Sequence, residues 1–252
     1  MFNFFADKES RQGNTFHLTG ADCNHIKNVL RMKKGDTLLV SCEGKSHLCS
    51  LTECEQDFAA AEIIEEDFQD TELPVKIYLF QGLPKGDKME LIIQKAVELG
   101  VHKIIPVEMN RCVVRLDEKK KKSKTARWQA IAESAAKQSK RTVVPETEVP
   151  VSYSEALKKA EKLDLLLVPY ESKRGMQTTA EALASIKKNS TVGILIGPEG
   201  GFEDTEVEKA FSAGGKVISL GDRILRTETA AITAVGMCML YAEMNLKDEN
   251  ND

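Results

Sequence analysis

The chain has 252 residues, 42% of them hydrophobic and 29% charged, with a formal net charge of −4. That length suffices for a sizeable core, in one large domain or in a large and a small one. No apolar run approaches the roughly 18 residues a membrane span needs; "MFNFFADKES" lacks a signal-peptide pattern, and the six cysteines (23, 42, 49, 54, 112, 238) and four scattered histidines lack metal or disulfide spacing, so a reduced, cytoplasmic protein without metal or membrane is expected.

Residues 1–72 read as a small β-rich domain. "TGADCNHIKNVLRM" predicts a short helix with Ile26, Val29 and Leu30 on one face. "DTLLVSCEGKSHLCSLTECEQDFAAAEIIEED" alternates short apolar stretches with Gly-containing turns, as small β structure does. "EEDFQDTELP" predicts a linker punctuated by Pro74.

The rhythm changes in 73–252. "VKIYLFQGL" predicts a buried strand. "GDKMELIIQKAVELG" predicts an amphipathic helix with Met89, Ile92, Ile93, Ala96 and Val97 on one face and Gly100 just past its end. Then follow strand "KIIPV", helix "RWQAIAESAAKQSKR", strand "LDLLLVPY", helix "TTAEALASIKK", strand "TVGILIG", helix "EDTEVEKAFSAG", strand "KVISLG" and a long last helix "TETAAITAVGMCMLYAEMN". Such alternation implies an α/β domain with a mostly parallel sheet covered on both faces.

Charge is uneven. Residues 73–146 carry 16 Lys/Arg against 8 Asp/Glu, a net of +8, while the segments on either side are acidic. A basic middle in an acidic chain suits a polyanion, although "DEKKKKSK" (117–124) reads equally well as a solvated loop.

In open α/β sheets ligands sit at the carboxyl ends of strands. Three predicted loops lie there: "VPYESKRG" from 168, "GPEGGFED" from 197 and "GDRILRTE" from 221. The glycine loop fits neither G-x-G-x-x-G nor G-x-x-x-x-G-K-[ST], and a tight turn alone would account for it. The third loop places Ile224 and Leu225 where polar residues would be expected, which suggests a pocket for a flat or apolar ligand part. Arg226 stands at its lip. Thr227 is a plausible N-cap and Glu228 a first-turn acid.

"LIGPEGGF" (195–202) followed by "LGDRILRTETA" (220–230) closely resembles the RsmE family, the 16S ribosomal RNA (uracil-N3)-methyltransferases of the SPOUT superfamily. "HIKNVLRMKKGD" (25–36), "KGDKMELIIQKAVELGV" (85–101), "RW" (127–128) and "AAKQSKR" (135–141) agree in order. Three positions depart from the family pattern: Asn3 where a basic residue is usual, Asn24 before His25 where a histidine often stands, and Glu203 in place of a serine-like cap.

The resemblance implies a small PUA-like β-barrel over 1–72 that binds RNA. It implies a SPOUT methyltransferase domain over 73–252 with a C-terminal trefoil knot formed around 168–226. It implies S-adenosyl-L-methionine as cofactor, a homodimer, and methylation of N3 of one uridine of 16S rRNA within the small ribosomal subunit. On this reading the cofactor is held by Pro169, Ile196, Gly197, Gly200, Gly201, Leu220, Gly221, Ile224, Leu225 and Thr229. Bare glycine backbone reads the neutral adenine edge, and Ile224 and Leu225 bed the ring.

Arg226 is the choice for stabilising charge on the uracil carbonyls, because its planar donor fork stays charged. Glu199 is the second catalytic candidate; it orients cofactor or substrate, or merely caps. The proton acceptor is open among Glu199, Glu228 and the partner subunit. RNA contacts are expected from Arg11, Arg31, Lys33, Lys85, Lys88, Arg111, Arg115 and Arg141, with Lys119 to Lys122, Lys137 and Lys140 as further basic positions. A non-catalytic RNA-binding or ribosome-assembly protein, and a methyltransferase of another RNA, are the competing readings.

Overall fold

A computed structural model describes residues 1–170 and 175–247. Its residues cluster into two compact units. One comprises 1–72 with 136–144; the other comprises 73–135 with the described residues after 144.

The first unit is built on a six-stranded sheet ordered β1-β4-β5-β6-β3-β2. Its strands are β1 (Asn3–Phe5), β2 (Arg11–Gln12), β3 (Thr15–Thr19), β4 (Thr37–Cys42), β5 (Lys45–Cys54) and β6 (Phe58–Gln69). All ladders are antiparallel except β1 with β4. Register shifts between β5 and β6 bend the long pair, as bulges do. Alternation sends Phe4, Phe16, Leu18, Leu38, Val40, Cys49, Leu51, Ala59 and Ala61 into one core. The segment read as a linker from 65 is strand as far as Gln69, because β6 must reach the whole length of β5.

The predicted helix after Thr19 is α1 (Gly20–Asn24), continuing as a wider π-type turn over His25–Val29. There Leu30 N–H reaches the His25 carbonyl, five residues back, at 2.9 Å. The widening corrects the expected face: Ile26 is buried and Leu30 packs on the core, but Val29 swings out and is 63% exposed.

The second unit holds a parallel sheet ordered β10-β8-β7-β12-β11-β13, with β9 (Glu146–Thr147) beside β8. The strands are β7 (Lys76–Gly82), β8 (Lys103–Glu108), β10 (Val151–Ser152), β11 (Leu165–Pro169), β12 (Thr191–Ile196) and β13 (Gly215–Ile218). The helices are α2 (Lys88–Glu98), α3 (Glu118–Gln138), α4 (Tyr153–Ala160), α5 (Gly175–Ala184), α6 (Asp204–Ser212) and α7 (Thr227–Leu246). Strand β12 is central, which explains why Val192 to Ile196 are buried without alternation.

Helix α2 buries the five predicted residues, and Gly100 follows it at φ +85°. Helix α3 begins earlier than expected. The lysine run read as a loop forms its first turns, where Asp117 Oδ1 accepts the Lys120 N–H at 2.8 Å. Lys121 is not free in that run, since it pairs with Glu108 at 3.0 Å and Glu118 at 3.4 Å.

Helix α7 is, among the described residues, the one helix long and apolar enough to cross a membrane. Packing accounts for part of its hydropathy: Ala231, Ala234, Val235, Cys238 and Ala242 are buried on a helix that contacts α2, β7 and β12, while Leu240 and Met244 are exposed. From β13 at the sheet edge the chain returns past β11 to start α7 beside β12 and β7.

Candidate functional site

Because the ladders joining β7, β12, β11 and β13 are parallel, their carboxyl ends share one edge. Gln81, Ile196, Pro169 and the residues after Ile218 meet there. The chain turns after Ile196 in a glycine loop. Pro198 is buried, and its carbonyl accepts the Gly201 N–H at 2.9 Å. Gly201 has φ +68°, a conformation that costs other residues strain. At the end of β7, a Cβ on Gly82 would lie 2.7 Å from the Pro198 nitrogen, so the turn sits directly on that backbone. Gly200 is hemmed in by Arg111, whose Cβ would lie 3.0 Å from an added Cβ and whose guanidinium donates to the Gly200 carbonyl at 3.0 Å.

A buried polar clasp fixes this turn to the start of α7. Thr227 Oγ1 donates to the Gly197 carbonyl at 2.6 Å and accepts from Gln81 Nε2 at 3.0 Å. Gln81 is wholly buried and Thr227 is 5% exposed. This corrects the expected capping role of Thr227: the N-cap position is Arg226, and Thr227 is the first helical residue. The clasp was missed. A glutamine closing an otherwise apolar strand was its one signal, since a buried amide needs partners.

A charged clasp joins the glycine turn and α7 to the start of α2. Lys88 Nζ lies 2.9 Å from Glu199 Oε1 and 3.6 Å from Glu228 Oε2, and the Lys85 N–H donates to Glu199 Oε1 at 3.0 Å. Partial burial opposes the Glu199 charge, but hydrogen bonds from Lys88 and the Lys85 amide outweigh it and hold the carboxyl below the usual range. In turn, the hydrogen bond to Glu199 raises the Lys88 ammonium above its ordinary value. Glu199 is therefore an ionised, occupied acceptor and not a base poised near neutrality.

The expected cofactor residues fall into three groups. Pro169, Gly197, Gly201, Leu220, Gly221 and Leu225 are half-buried along the strand ends, and Gly200 is exposed there. Ile224 is 86% exposed, an apolar side chain with nothing over it. Ile196 is 2% exposed, so its side chain belongs to the core and it offers a ligand only backbone, while Thr229 is exposed on the first turn of α7. Of the loop "VPYESKRG", residues 171–174 lie outside the described residues. Glycines beside an open apolar patch suit a flat, largely neutral group such as adenine. Arg226 is exposed, and its side chain makes no hydrogen bond or ion pair among the described residues.

The expected RNA contacts divide as well. Arg31, Lys33 and Lys85 are exposed, Arg31 with φ 54°. Arg115 donates to the Met109 and Asn110 carbonyls, and Arg111 to Gly200, so both brace the loop after β8 while remaining exposed. Arg11 pairs with Glu66 at 2.6 Å and lies over Phe16. Lys88 is held by the clasp.

Arg141 is a correction. It is 3% exposed and ion-paired to Glu72, and its carbonyl accepts from Asn3 Nδ2 at 2.9 Å and Ser41 Oγ at 3.2 Å. It cannot reach a phosphate. Asn3 is likewise an interior polar residue of the first unit. Glu203 stands at the N-cap of α6, where its N–H donates to Glu206 Oε2 at 2.9 Å while its own carboxylate accepts from Asn110 Nδ2 at 2.7 Å.

The sequence family described as RNA methyltransferase domain matches residues 71–239, and the RNA methyltransferase PUA domain matches residues 18–68. The chain is similar to ribosomal RNA small subunit methyltransferase E of Bacillus subtilis (strain 168), with 41% identity over 93% of each chain. It is 34% identical to the protein of that name from Mesomycoplasma hyopneumoniae (strain 232), over 95% of this chain and 99% of the other. Among solved structures it is similar to ribosomal RNA small subunit methyltransferase E from Neisseria gonorrhoeae bound to S-adenosyl methionine. That match has a TM-score of 0.80 and 35% identity over 95% of this chain and 97% of the other.

Proposed function

The chain belongs to the ribosomal RNA small subunit methyltransferase E family, an RNA methyltransferase domain joined to a PUA domain, and from that premise we propose that it methylates N3 of one uridine of 16S rRNA, using S-adenosylmethionine. The observation that carries the reading is the edge where the glycine turn, the loop bearing Ile224 and Leu225, and Arg226, unpaired among the described residues, converge. The first unit, 1–72 joined by 136–144 where 1–72 alone was expected, serves as the RNA-binding PUA-like domain and the rest of 73–252 as the catalytic one.

When bound, the cofactor supplies a methyl group on a sulfonium. Pro169, Leu220, Gly221, Ile224 and Leu225 would line its apolar side, and the backbone of Ile196, Gly197, Gly200 and Gly201, with Thr229 nearby, its polar edge. Arg226 presents its guanidinium to a uracil carbonyl as negative charge spreads there. Glu199 acts by holding Lys88 and the turn. Since N3 lies on the pairing edge, the base must be unpaired or flipped to reach the site. Arg11, Arg31, Lys33, Lys85, Arg111 and Arg115 supply phosphate contacts.

The return of the chain from β13 to α7 beside β12 is the path that a trefoil knot requires, and it supports one over 168–226. Leu240 (53% exposed) and Met244 (74%) on α7, with Ile224, support a homodimer that covers them. The substrate context is the small ribosomal subunit, hence the cytoplasm. Mass spectrometry of nucleosides from 16S rRNA, with and without the protein in cells, tests the reading. Loss of N3-methyluridine, restored by the wild-type chain and not by an Arg226→Ala variant, is the expected result. An unchanged nucleoside profile would reject it.

A further inference from the structure

Glu228 stands apart from the other acids at this edge. Its Oε2 is sealed from solvent and has no donor within ordinary hydrogen-bond distance among the described residues. The nearby cation, Lys88, is 3.6 Å away and is shared with Glu199, which it approaches to 2.9 Å. Yet the Glu228 side chain keeps 14% of its surface, so it is not shut off from the strand ends. Glu199 is the opposite case, with two donors already on one oxygen. A buried acceptor lacking a donor is the group that gains most when a donor arrives.

Position adds to this. Glu228 follows Arg226 by two residues, on a turn of α7 pinned through Thr227 to Gly197 and Gln81. One short stretch thus presents a cation and an under-donated carboxylate, the cation without a partner among the described residues. The uracil pairing edge reads carbonyl, N3–H, carbonyl, which calls for donors at its sides and an acceptor at its centre. Resting on the methyltransferase reading, we infer that Glu228 accepts the N3 proton of the target uracil while Arg226 binds the adjoining carbonyl.

The step balances. The N3–H bond breaks and its proton passes to the Glu228 carboxylate. The N3 electron pair forms the bond to the methyl carbon as the carbon–sulfur bond breaks, and that pair stays on sulfur as a neutral thioether. Solvent takes the proton from Glu228 after release. Among the described residues the charged group facing Glu228 is Lys88 from α2, which also holds Glu199 of the glycine turn; the near ends of β7 and β12 bring Gln81 and no charge. Lys88 is a positioning residue, holding the Glu228 carboxylate in place from 3.6 Å.

The test uses full-length protein and small ribosomal subunits lacking the mark. Wild type must methylate them; if it does not, the methyltransferase reading fails before this one is reached. Glu228→Gln should melt near wild type and bind S-adenosylmethionine within about twofold by calorimetry. Its single-turnover rate at neutral pH should fall about a hundredfold or more, the usual range for a lost general base. That rate should climb about tenfold per pH unit toward the ionisation of the base itself, because substrate then arrives already deprotonated. A rate within about threefold of wild type, or a loss that alkaline pH does not restore, overturns the assignment.

If Glu228→Gln fails to fold, Glu228→Asp serves. It should be slower but keep the wild-type pH profile, and an Asp variant with the steep alkaline rise would refute the role. In the unliganded protein, Lys88→Met should lower the melting temperature, and adding Glu228→Gln should recover part of the loss. No recovery would show that Lys88 does not hold Glu228.

Discussion

Replacing Thr227 by valine tests whether the buried clasp organises the site. Valine matches threonine in shape and removes only the hydroxyl. Two hydrogen bonds go, the 2.6 Å donation to the Gly197 carbonyl and the 3.0 Å acceptance from Gln81. Gln81 Nε2 keeps the Gly82 carbonyl at 2.9 Å, so its loss is partial. The Gly197 carbonyl loses its donor beside a buried strand end. A net hydrogen bond contributes about 1 kcal/mol and an unsatisfied buried group costs about 1–3 kcal/mol, so a total near 2–4 kcal/mol is expected. For a unit of this size that is a fall of roughly 5–15 °C in melting temperature. Calorimetric melting would record it, and S-adenosylmethionine titration should show weaker binding, because the Gly197–Gly201 turn loses its tether. Thr227→Ser should restore most of both. A Thr227→Val protein within about 0.5 kcal/mol of wild type, the level of an ordinary surface change, would refute the clasp.

Arg226→Lys should fold and bind cofactor normally but lose about a hundred- to a thousandfold in single-turnover rate, as removal of one preorganised donor does; a near-normal rate would take Arg226 off the catalytic list. Arg141→Met should destabilise the first unit by about 3 kcal/mol, because partly buried Glu72 keeps only the Thr142 N–H and hydroxyl, without altering the salt dependence of RNA binding measured below the melting point. His47 is buried, and that burial, helped by the Arg11 charge, lowers its pKa in the fold. The unfolded chain therefore takes up a proton first, below about pH 6.5, and stability should fall as pH drops from there toward the folded value. Denaturant titrations at stepped pH should show that loss, and a His47→Gln protein should show less of it.

What could be read from sequence was what local chemistry decides. The apolar spacing of Met89, Ile92, Ile93, Ala96 and Val97 specified the buried face of α2, and the run Val192 to Ile196 announced a strand. Local pattern failed where the backbone departed from its usual period or where a partner lay far along the chain. The wider turn after Asn24 rotated Val29 into solvent, a one-residue change in helical phase that no 3.6-residue pattern reveals. Arg141 looked like any basic residue in "QSKR", because Glu72, which neutralises it, is 69 residues away.

The candidate site divides along the same line. The glycine turn and Ile224–Leu225 declared themselves because their types are wrong for an ordinary loop. Gln81, Thr227, Lys88 and Glu228 have types that are ordinary for their elements: a strand-end amide, a hydroxyl at a helix start and charges in first turns. Their roles arise only when the parallel sheet sets β12 between β7 and β11 and the chain then carries α7 back to β7. That crossing brings residues 81, 88, 197, 199, 227 and 228 together across nearly 150 positions. It also explains the division of labour at the edge. The neutral clasp is wholly buried, where a charge would need full compensation. The charged clasp lies nearer the surface, where Lys88 serves two carboxylates at unequal distance, leaving Glu228 the less satisfied of the two.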